Sequence, residues 1–404
     1  MVKSACVLIP ARGGSKSIPG KNVRPFCGHP LLEWSVAAGL ESQRVDRVIV
    51  STDDPEIAEV ARRAGAEVPF LRPAHLALDD TLDLPVFQHA LQWLEEQEGY
   101  APEAFVQLRP TSPLRPSGLV DLALGILDAD PAIESVRAVT PSGENPHKMW
   151  RMAAGGRLES LLTLPDVPEP FNQPRQALPP TYWQTGHIDV IRRPTIVQKG
   201  SLSGDRVHAV LMERELAVDL DTELDWVRGE ALARGTRIPL VRPPAPRIPE
   251  DLHLVILDFD GVLTDDRVWV DREGREMVAA HRGDGMGLSR LRRAGVEVRV
   301  LSSEVDGVVA ARCRKLGIPV EQGVKDKGAV LDRWFAEAGL TREQVIFVGN
   351  DVNDLPAFDR VDFSVAVADA HAEVRRRARW VLQRRGGHGA VRELADFILE
   401  AQGA

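Results

Sequence analysis

From Ile238 to Pro249 the chain reads Ile-Pro-Leu-Val-Arg-Pro-Pro-Ala-Pro-Arg-Ile-Pro, with five prolines in the eleven residues from Pro239. Proline fixes φ and lacks an N–H, so this stretch can be neither helix interior nor central strand; it reads as an extended, semi-rigid connector. An apolar run, Leu252 to Leu257, begins directly afterwards. The expected division is therefore a first domain over 1–240, a linker over 241–250 and a second domain over 251–404. A length of 404 residues allows two or three domains, at roughly 150 residues per domain. The proline break favours two.

Both halves alternate between short Val/Ile/Leu-rich runs and longer amphipathic ones. In the first, strands are expected at Ala5–Pro10, Arg47–Ser51, Ala104–Leu108 and Glu134–Val139, with helices at Pro30–Ser42, Pro55–Ala64, Leu82–Glu98 and Gly118–Ala129. In the second, strands are expected at Leu252–Leu257, Val296–Leu301, Gln344–Val348 and Phe363–Val367, with helices near 284–294, 305–316, 327–338 and 371–379. Such alternation predicts an α/β chain of two Rossmann-like domains with mainly parallel sheets, whose ligands sit at the carboxyl ends of the strands. Composition excludes other classes. Hydrophobic residues at 44% and charged residues at 27% are ordinary for a folded globular chain. No run of 18 apolar residues occurs, so no membrane span is expected, and Met1 to Pro10 reads as a first strand, not a signal peptide. Three cysteines without CxxC spacing support neither disulfides nor a cysteine zinc site. A net charge of −9 argues against nucleic-acid binding. A cytoplasmic multidomain enzyme is the expectation.

The first strand runs into Pro10-Ala-Arg-Gly-Gly-Ser-Lys-Ser-Ile-Pro-Gly-Lys-Asn22. Gly13 and Gly14 allow close backbone approach with N–H groups turned to phosphate oxygens, and Arg12, Lys16 and Lys21 bring positive charge. The loop fits neither GxxxxGK[ST] nor GxGxxG; its interleaved cations point to a triphosphate cradle. It resembles the signature loop of the acylneuraminate cytidylyltransferases, the CMP-sialic acid synthetases. Gln107-Leu-Arg-Pro-Thr-Ser-Pro-Leu-Arg115 and Leu216-Ala-Val-Asp-Leu-Asp-Thr-Glu-Leu-Asp225 resemble two further segments of that family, in the right order over about 220 residues. The resemblance implies a Rossmann-like nucleotidyltransferase fold that joins a sialic acid to CTP, giving CMP-sugar and pyrophosphate.

The residues suit that reaction. Asp219 and Asp221, two apart, would face one side of an extended segment and share Mg²⁺ with the nucleotide. Arg12 and Lys21 would take up charge on the leaving pyrophosphate. Ala11, Arg12, Gly13, Gly14, Ser15, Lys16, Lys21, Asn22 and Ser112 form the expected nucleotide site. By resemblance Lys148, Arg175 and Gln176 fall at sugar positions, and Gln107 and Ser112 belong to a strand-end loop facing the sugar. Two departures leave the acid open: Tyr182-Trp-Gln-Thr-Gly186 where the family often has Asn-Gly, and Arg109 where many members have Gln.

In the second half, Leu257-Asp-Phe-Asp-Gly-Val-Leu-Thr264 follows the apolar strand. Two carboxylates two residues apart at a strand end can divide the labour of phosphoryl transfer, Asp258 as nucleophile and Asp260 as general acid and base. The segment resembles the first motif of haloacid-dehalogenase-type phosphatases. Ser302, Lys327 (with Lys325 as second choice) and Gly349-Asn-Asp-Val-Asn-Asp354 supply the rest. Mg²⁺ would be held by Asp258, Asp260 and a third ligand, either Asn350, Asp351 or Asp354.

Arg282-Gly-Asp-Gly-Met-Gly287, Ser364-Val-Ala-Val-Ala-Asp-Ala-His371 and Arg385-Gly-Gly-His-Gly-Ala-Val-Arg-Glu393 resemble the 3-deoxy-octulosonate-8-phosphate phosphatase branch. That branch implies a capless fold, tetramers and a pocket closed by a neighbouring subunit, which Arg392 could reach. About 40 residues separate Asp260 from Ser302, too few for a long cap. Glu304 replaces the branch's Arg, which points from an octulosonate to a sialic-acid-type 9-phosphate. His281, Glu304 and Arg312 are the expected sugar contacts there. The substrate is N-acetylneuraminate, its deaminated analogue KDN or a related acid. A non-catalytic tetramerisation module, or an eight-carbon or bacterial dideoxy sugar acid, stays open as the alternative.

Overall fold

The computed structural model describes residues 2–403, and its contacts divide the chain into two units. One comprises Leu31–Pro243 with the chain up to Val23; the other comprises Arg24–Pro30 with the chain from Pro244 onward. The proline-rich stretch divides with them. Leu240 bridges Pro116, the Val241 N–H donates to the Arg115 carbonyl at 2.9 Å, and Val241 is buried among first-unit residues.

The first unit is built on six strands: β1 Ala5–Pro10, β2 Arg47–Ser51, β3 Ala104–Gln107, β4 Ser135–Pro141, β5 Tyr182–Arg192 and β6 Val207–Leu211. Their order is β6-β4-β5-β3-β1-β2. The pairs β1–β2, β1–β3 and β4–β6 are parallel, but β5 runs antiparallel to both its neighbours, so this sheet is mixed. Side chains on a strand alternate between faces, and both faces of β1 are buried. Ala5, Val7 and Ile9 enter one apolar cluster, while Cys6 and Leu8 enter the other. Helices α1 Leu31–Glu41, α2 Pro55–Arg63, α3 Asp83–Glu98 and α4 Leu119–Ala129 cover the sheet, with α5 Glu223–Gly235 near the end of the unit. Residue chemistry sets their ends. Asp54 accepts the N–H groups of Glu56 and Ile57 at the start of α2, and Thr222 and Asp225 form a reciprocal capping box on α5.

The second unit has an all-parallel sheet in the order β11-β10-β7-β12-β13-β14, from β7 Leu254–Leu257, β10 Glu297–Leu301, β11 Val320–Glu321, β12 Val345–Gly349, β13 Phe363–Ala366 and β14 Trp380–Val381. Between β7 and β10 lies a hairpin, β8 Thr264–Val270 and β9 Glu276–Ala280. It is the sole insertion at the position a cap would occupy. Helices α6 Arg282–Arg293, α7 Gly307–Leu316, α8 Lys327–Ala338, α9 Ala372–Arg377 and α10 Ala390–Ala401 complete the unit. All four residues of β7 are buried, the expected state of a strand covered on both faces.

Candidate active sites

In the first unit the loop after β1 opens onto a cavity of about 570 Å³. Arg12, Ser15, Lys16, Lys21 and Asn22 line it, joined by Arg72, Asp79, Asp83, Arg109, Thr111 and Asp221. Arg12 bonds Asp79 at 2.6 Å and Lys16 pairs with the same carboxylate, which these cations hold below its ordinary pKa. Lys21 is buried 3.0 Å from Asp221. The Asn22 amide donates to the Arg12 carbonyl at 2.9 Å and so braces the loop.

The structure places several of the expected residues off the cavity wall or already in hydrogen bonds. Ala11 is buried with its N–H bonded to the Ser51 carbonyl at 3.0 Å, so it belongs to the strand end and not to the cavity wall. The Gly13 N–H is already given to Asp53 at 2.9 Å; Gly14, with φ +60 and no neighbour within 4 Å of a would-be Cβ, is the freer of the two. Ser112 is wholly buried, and a Cβ on Gly186 would come within 2.4 Å of its hydroxyl, so it packs behind the site. Gln107 is buried too, its amide donating to Asp83 at 2.7 Å. Asp219 and Asp221 do not lie on an extended strand. The Asp221 N–H turns back to the Asp219 carbonyl, the Leu220 N–H is taken by the Thr111 carbonyl, and of the two carboxylates only Asp221 lines the cavity. Asp219 is pushed above its ordinary pKa by desolvation and by the Asp221 charge, against the Thr111 hydroxyl that bonds it. Arg175 and Gln176 line a separate hollow of about 490 Å³, where Arg175 donates to the Ser142 carbonyl. Lys148 lines neither space.

Sequence reasoning gave no site role to three cations, Arg72 and Arg109 on the cavity wall and Arg137. Arg72 is buried and bonded to the hydroxyl and carbonyl of Ser51; burial pushes it down to about 10. Arg109 spans Asp83 (3.1 Å) and the buried Asp189 (2.9 Å), and Arg137 meets Asp189 from its other side at 2.8 Å. Burial would lower Arg109, but the two carboxylates outweigh it and hold the guanidinium above its ordinary value. Arg72 and Arg137 lie outside every quoted motif, and Arg109, though inside Gln107–Arg115, takes its carboxylate partners from two other segments.

In the second unit, Asp258 follows β7 and its N–H is held by the Val348 carbonyl at 2.9 Å. Its carboxylate accepts the Phe259 N–H and lies 2.8 Å from Lys327 Nζ. Lys327, fully buried at the start of α8, also bonds Asp354 at 2.6 Å. Burial and the Asp354 charge push the Asp258 carboxyl above its ordinary pKa against the pull of Lys327. The other Asp354 oxygen accepts the N–H groups of Asn350 (2.8 Å) and Asp351 (3.2 Å), so both oxygens are engaged. By contrast, the Asn350 side-chain oxygen is buried without a partner, and its amide packs where a Cβ on Gly261 would be. Asp351 is exposed and caps its own turn. Among the described residues no group of three His, Cys, Asp or Glu is placed to hold a metal.

Asp260 is raised by burial and then by the charge of Glu304, while the Thr264 hydroxyl donates to it at 3.4 Å. Ser302 is buried, and its hydroxyl oxygen accepts the Glu304 N–H at 3.0 Å. Glu304 folds back over its own turn to accept the N–H groups of Val305 and Asp306. His281 precedes α6, and Arg312 on α7 lies beside Gly285 at the start of α6. The Arg392 side chain is bonded to Asp396 within α10.

A family model described as cytidylyltransferase matches residues 6–124, and one described as haloacid dehalogenase-like hydrolase matches residues 319–394. The N-acylneuraminate cytidylyltransferase of Oncorhynchus mykiss is 31% identical over 399 residues, covering 97% of this chain and 88% of that protein. The chain belongs to the N-acylneuraminate cytidylyltransferase family. The similarity runs through both units, so the fusion is part of the family pattern. The second unit has its own relatives. The 3-deoxy-D-manno-octulosonate 8-phosphate phosphatase of Haemophilus influenzae is 39% identical over 155 residues, covering 38% of this chain and 86% of that protein. A solved structure, the cobalt-bound form of deoxy-D-mannose-octulosonate 8-phosphate phosphatase from Haemophilus influenzae, is 39% identical with a TM-score of 0.37, covering 38% of this chain and 91% of that one. The chain is thus an enzyme that combines a nucleotidyltransferase domain with a haloacid dehalogenase-like hydrolase domain. No helix of the described residues is long and apolar enough to cross a membrane.

Proposed function

We propose that the chain carries out two consecutive steps on a nine-carbon sugar acid. The second unit removes phosphate from the 9-phosphate, and the first unit transfers CMP from CTP to the free acid, N-acetylneuraminate or KDN. The observation that carries the synthetase reading is one cavity wall on which Arg12, Lys16, Lys21 and Arg72 converge beside Asp221. The cations receive the triphosphate, and Lys21 and Arg12 take up the charge of departing pyrophosphate. The anomeric hydroxyl of the sugar attacks the α-phosphorus, the bond to pyrophosphate breaks and the hydroxyl proton is lost to solvent. Asp219 and Asp221, two carboxylates that repel each other with Lys21 as compensation, fit Mg²⁺. When bound, the metal neutralises α-phosphate charge and acidifies the hydroxyl.

In the second unit Asp258 attacks phosphorus to form an aspartyl-phosphate, while the raised carboxyl of Asp260 gives its proton to the leaving sugar oxygen. Asp260 then takes a proton from water as that water attacks phosphorus, and phosphate leaves. Lys327 screens the nucleophile and the Ser302 hydroxyl donates to the phosphoryl group. Asp258, Asp260 and the unpartnered oxygen of Asn350 fit Mg²⁺; Asp354, already engaged by Lys327 and two N–H groups, does not. Glu304 supports the nine-carbon reading, since a carboxylate there repels the acid group of a shorter sugar. The apolar residues exposed on the hairpin, Val268, Trp269, Val270 and Met277, support assembly into a tetramer through this unit.

Purified chain is to be given CTP, Mg²⁺ and a panel of free and 9-phosphorylated eight- and nine-carbon acids, with phosphate, pyrophosphate and CMP-sugar followed. Preference for nine-carbon acids in both reactions is expected. Asp219→Ala should lower Mg²⁺-dependent pyrophosphate release at least about 100-fold, the scale of losing a charge-stabilising group; an unchanged rate removes the metal assignment.

A further inference from the structure

The tail of the second unit, far from the catalytic loop in sequence, is laid against it in space. A Cβ built on Gly386 would fall 1.7 Å from the carbonyl oxygen of Gly261, and one on Gly387 would fall 2.4 Å from the N and C atoms joining Asp265 and Thr264. The Gly387 N–H donates to the Val262 carbonyl at 3.0 Å, and the Gly386 N–H donates to Asp369 at 2.9 Å. The tail is anchored farther along as well. Gln383 and Arg384 give their N–H groups to Glu393, and the Arg392 N–H goes to the buried Asp284 on α6 at 2.8 Å.

What the two glycines touch is specific. Gly261 follows Asp260 directly and has φ +72; its other side is closed by Asn350, whose amide nitrogen would lie 1.9 Å from a Cβ there. Thr264 accepts the Gly261 N–H at 3.2 Å and donates to Asp260 at 3.4 Å. Gly386 thus backs the Gly261 peptide against Asn350, and Gly387 backs Thr264. Asp258 has different supports: the Val348 carbonyl, the Phe259 N–H and Lys327.

We infer that Gly386 and Gly387 are positioning residues for the phosphatase step, setting the placement of Asp260 and leaving that of Asp258 alone. Only glycine fits, because the tail backbone and the catalytic loop touch without room for a side chain. The inference rests on the assignment of Asp260 as general acid and base. It makes a prediction that a merely structural role does not. A displaced general acid matters most when the leaving group is poor and little when it is good.

The test uses the full chain with Mg²⁺ and two substrates, a nine-carbon sugar-acid 9-phosphate (alkoxide leaving group) and p-nitrophenyl phosphate. Gly386→Ala should cut kcat on the sugar phosphate by about 100-fold or more, the scale of general acid–base catalysis, with KM nearly unchanged. The pre-steady-state burst of p-nitrophenol, which reports attack by Asp258, should keep its rate. Equal loss on both substrates, including the burst, or no loss on either, would overturn the inference. Should Gly386→Ala fail to fold, Asp369→Ala removes only an exposed carboxylate that holds the Gly386 N–H. It should show the same dependence on leaving group with a smaller amplitude, and a uniform loss overturns the inference equally. A wild-type chain inert on both phosphates would instead overturn the phosphatase reading, and this inference with it.

Discussion

Lys327 is the one cation between two buried carboxylates, Asp258 and Asp354, and each lies within 3 Å of it. Taking such a partner away leaves unpaired charge in a low-dielectric site. Breaking a buried pair in this way costs about 3–5 kcal/mol. Lys327→Met should therefore weaken the second unit by that amount in urea unfolding as well as abolish phosphate release. A loss of activity with unchanged stability would show that the pair is solvated. Asp354 illustrates what residue type and spacing leave undecided. In Gly349-Asn-Asp-Val-Asn-Asp354 it is a residue type that suits a metal, yet its oxygens are used inside the fold. Asn350, the less charged choice, keeps the unpartnered oxygen.

Strand β5 holds a buried titratable group of the first unit. His187 is fully buried on it, with Nε2–H donating to the Leu216 carbonyl at 3.0 Å and no partner on Nδ1. Burial first, and the nearby Arg115 second, push it down to about 3. In the unfolded chain the imidazole returns to an ordinary value near 6.5 and takes up a proton that the folded state refuses. Stability is then complete above pH 6.5 and lost as pH falls toward 3. The slope approaches about 1.4 kcal/mol per pH unit below 6.5. Urea unfolding of the first unit between pH 7 and pH 5 should show this loss, and His187→Gln should flatten it; equal slopes in both would remove His187 as the source. The same strand shows why part of the fold could not be read from the sequence. Its buried residues include Thr185, His187 and Asp189, of which His187 bonds the Leu216 carbonyl and Asp189 meets Arg109. A strand that buries polar side chains toward a site loses the apolar run by which strands are recognised. The apolar strands β1, β2, β7 and β12 lie within two residues of where their patterns put them. The hairpin β8–β9 escaped for the opposite reason: most of its residues are exposed, so its pattern carries no burial signal.

At the scale of the molecule, Asp258, Asp260, Ser302 and Lys327, the residues proposed to handle phosphate, all lie in the second unit, and the cavity with Arg12, Lys21 and Asp221 is in the first. Asp258→Asn should therefore abolish phosphate release and leave CMP transfer within about twofold, as expected for independent sites that share no residues. Loss of both activities would show that the two sites depend on one another.

The α/β class, the paired carboxylates after β7 and the cationic loop after β1 were determined by the sequence alone, because alternation, burial on both strand faces and i, i+2 carboxylates are local properties of the chain. The partners of those groups were decided only by the tertiary structure. It set Asp53 against Gly13, gave Asp354 to Lys327, brought Arg72 into the cavity and laid Gly386 on Gly261. Each of those contacts joins segments that are distant in sequence. A hydrogen bond or steric contact across such a distance exists only once both segments have packed onto a common core.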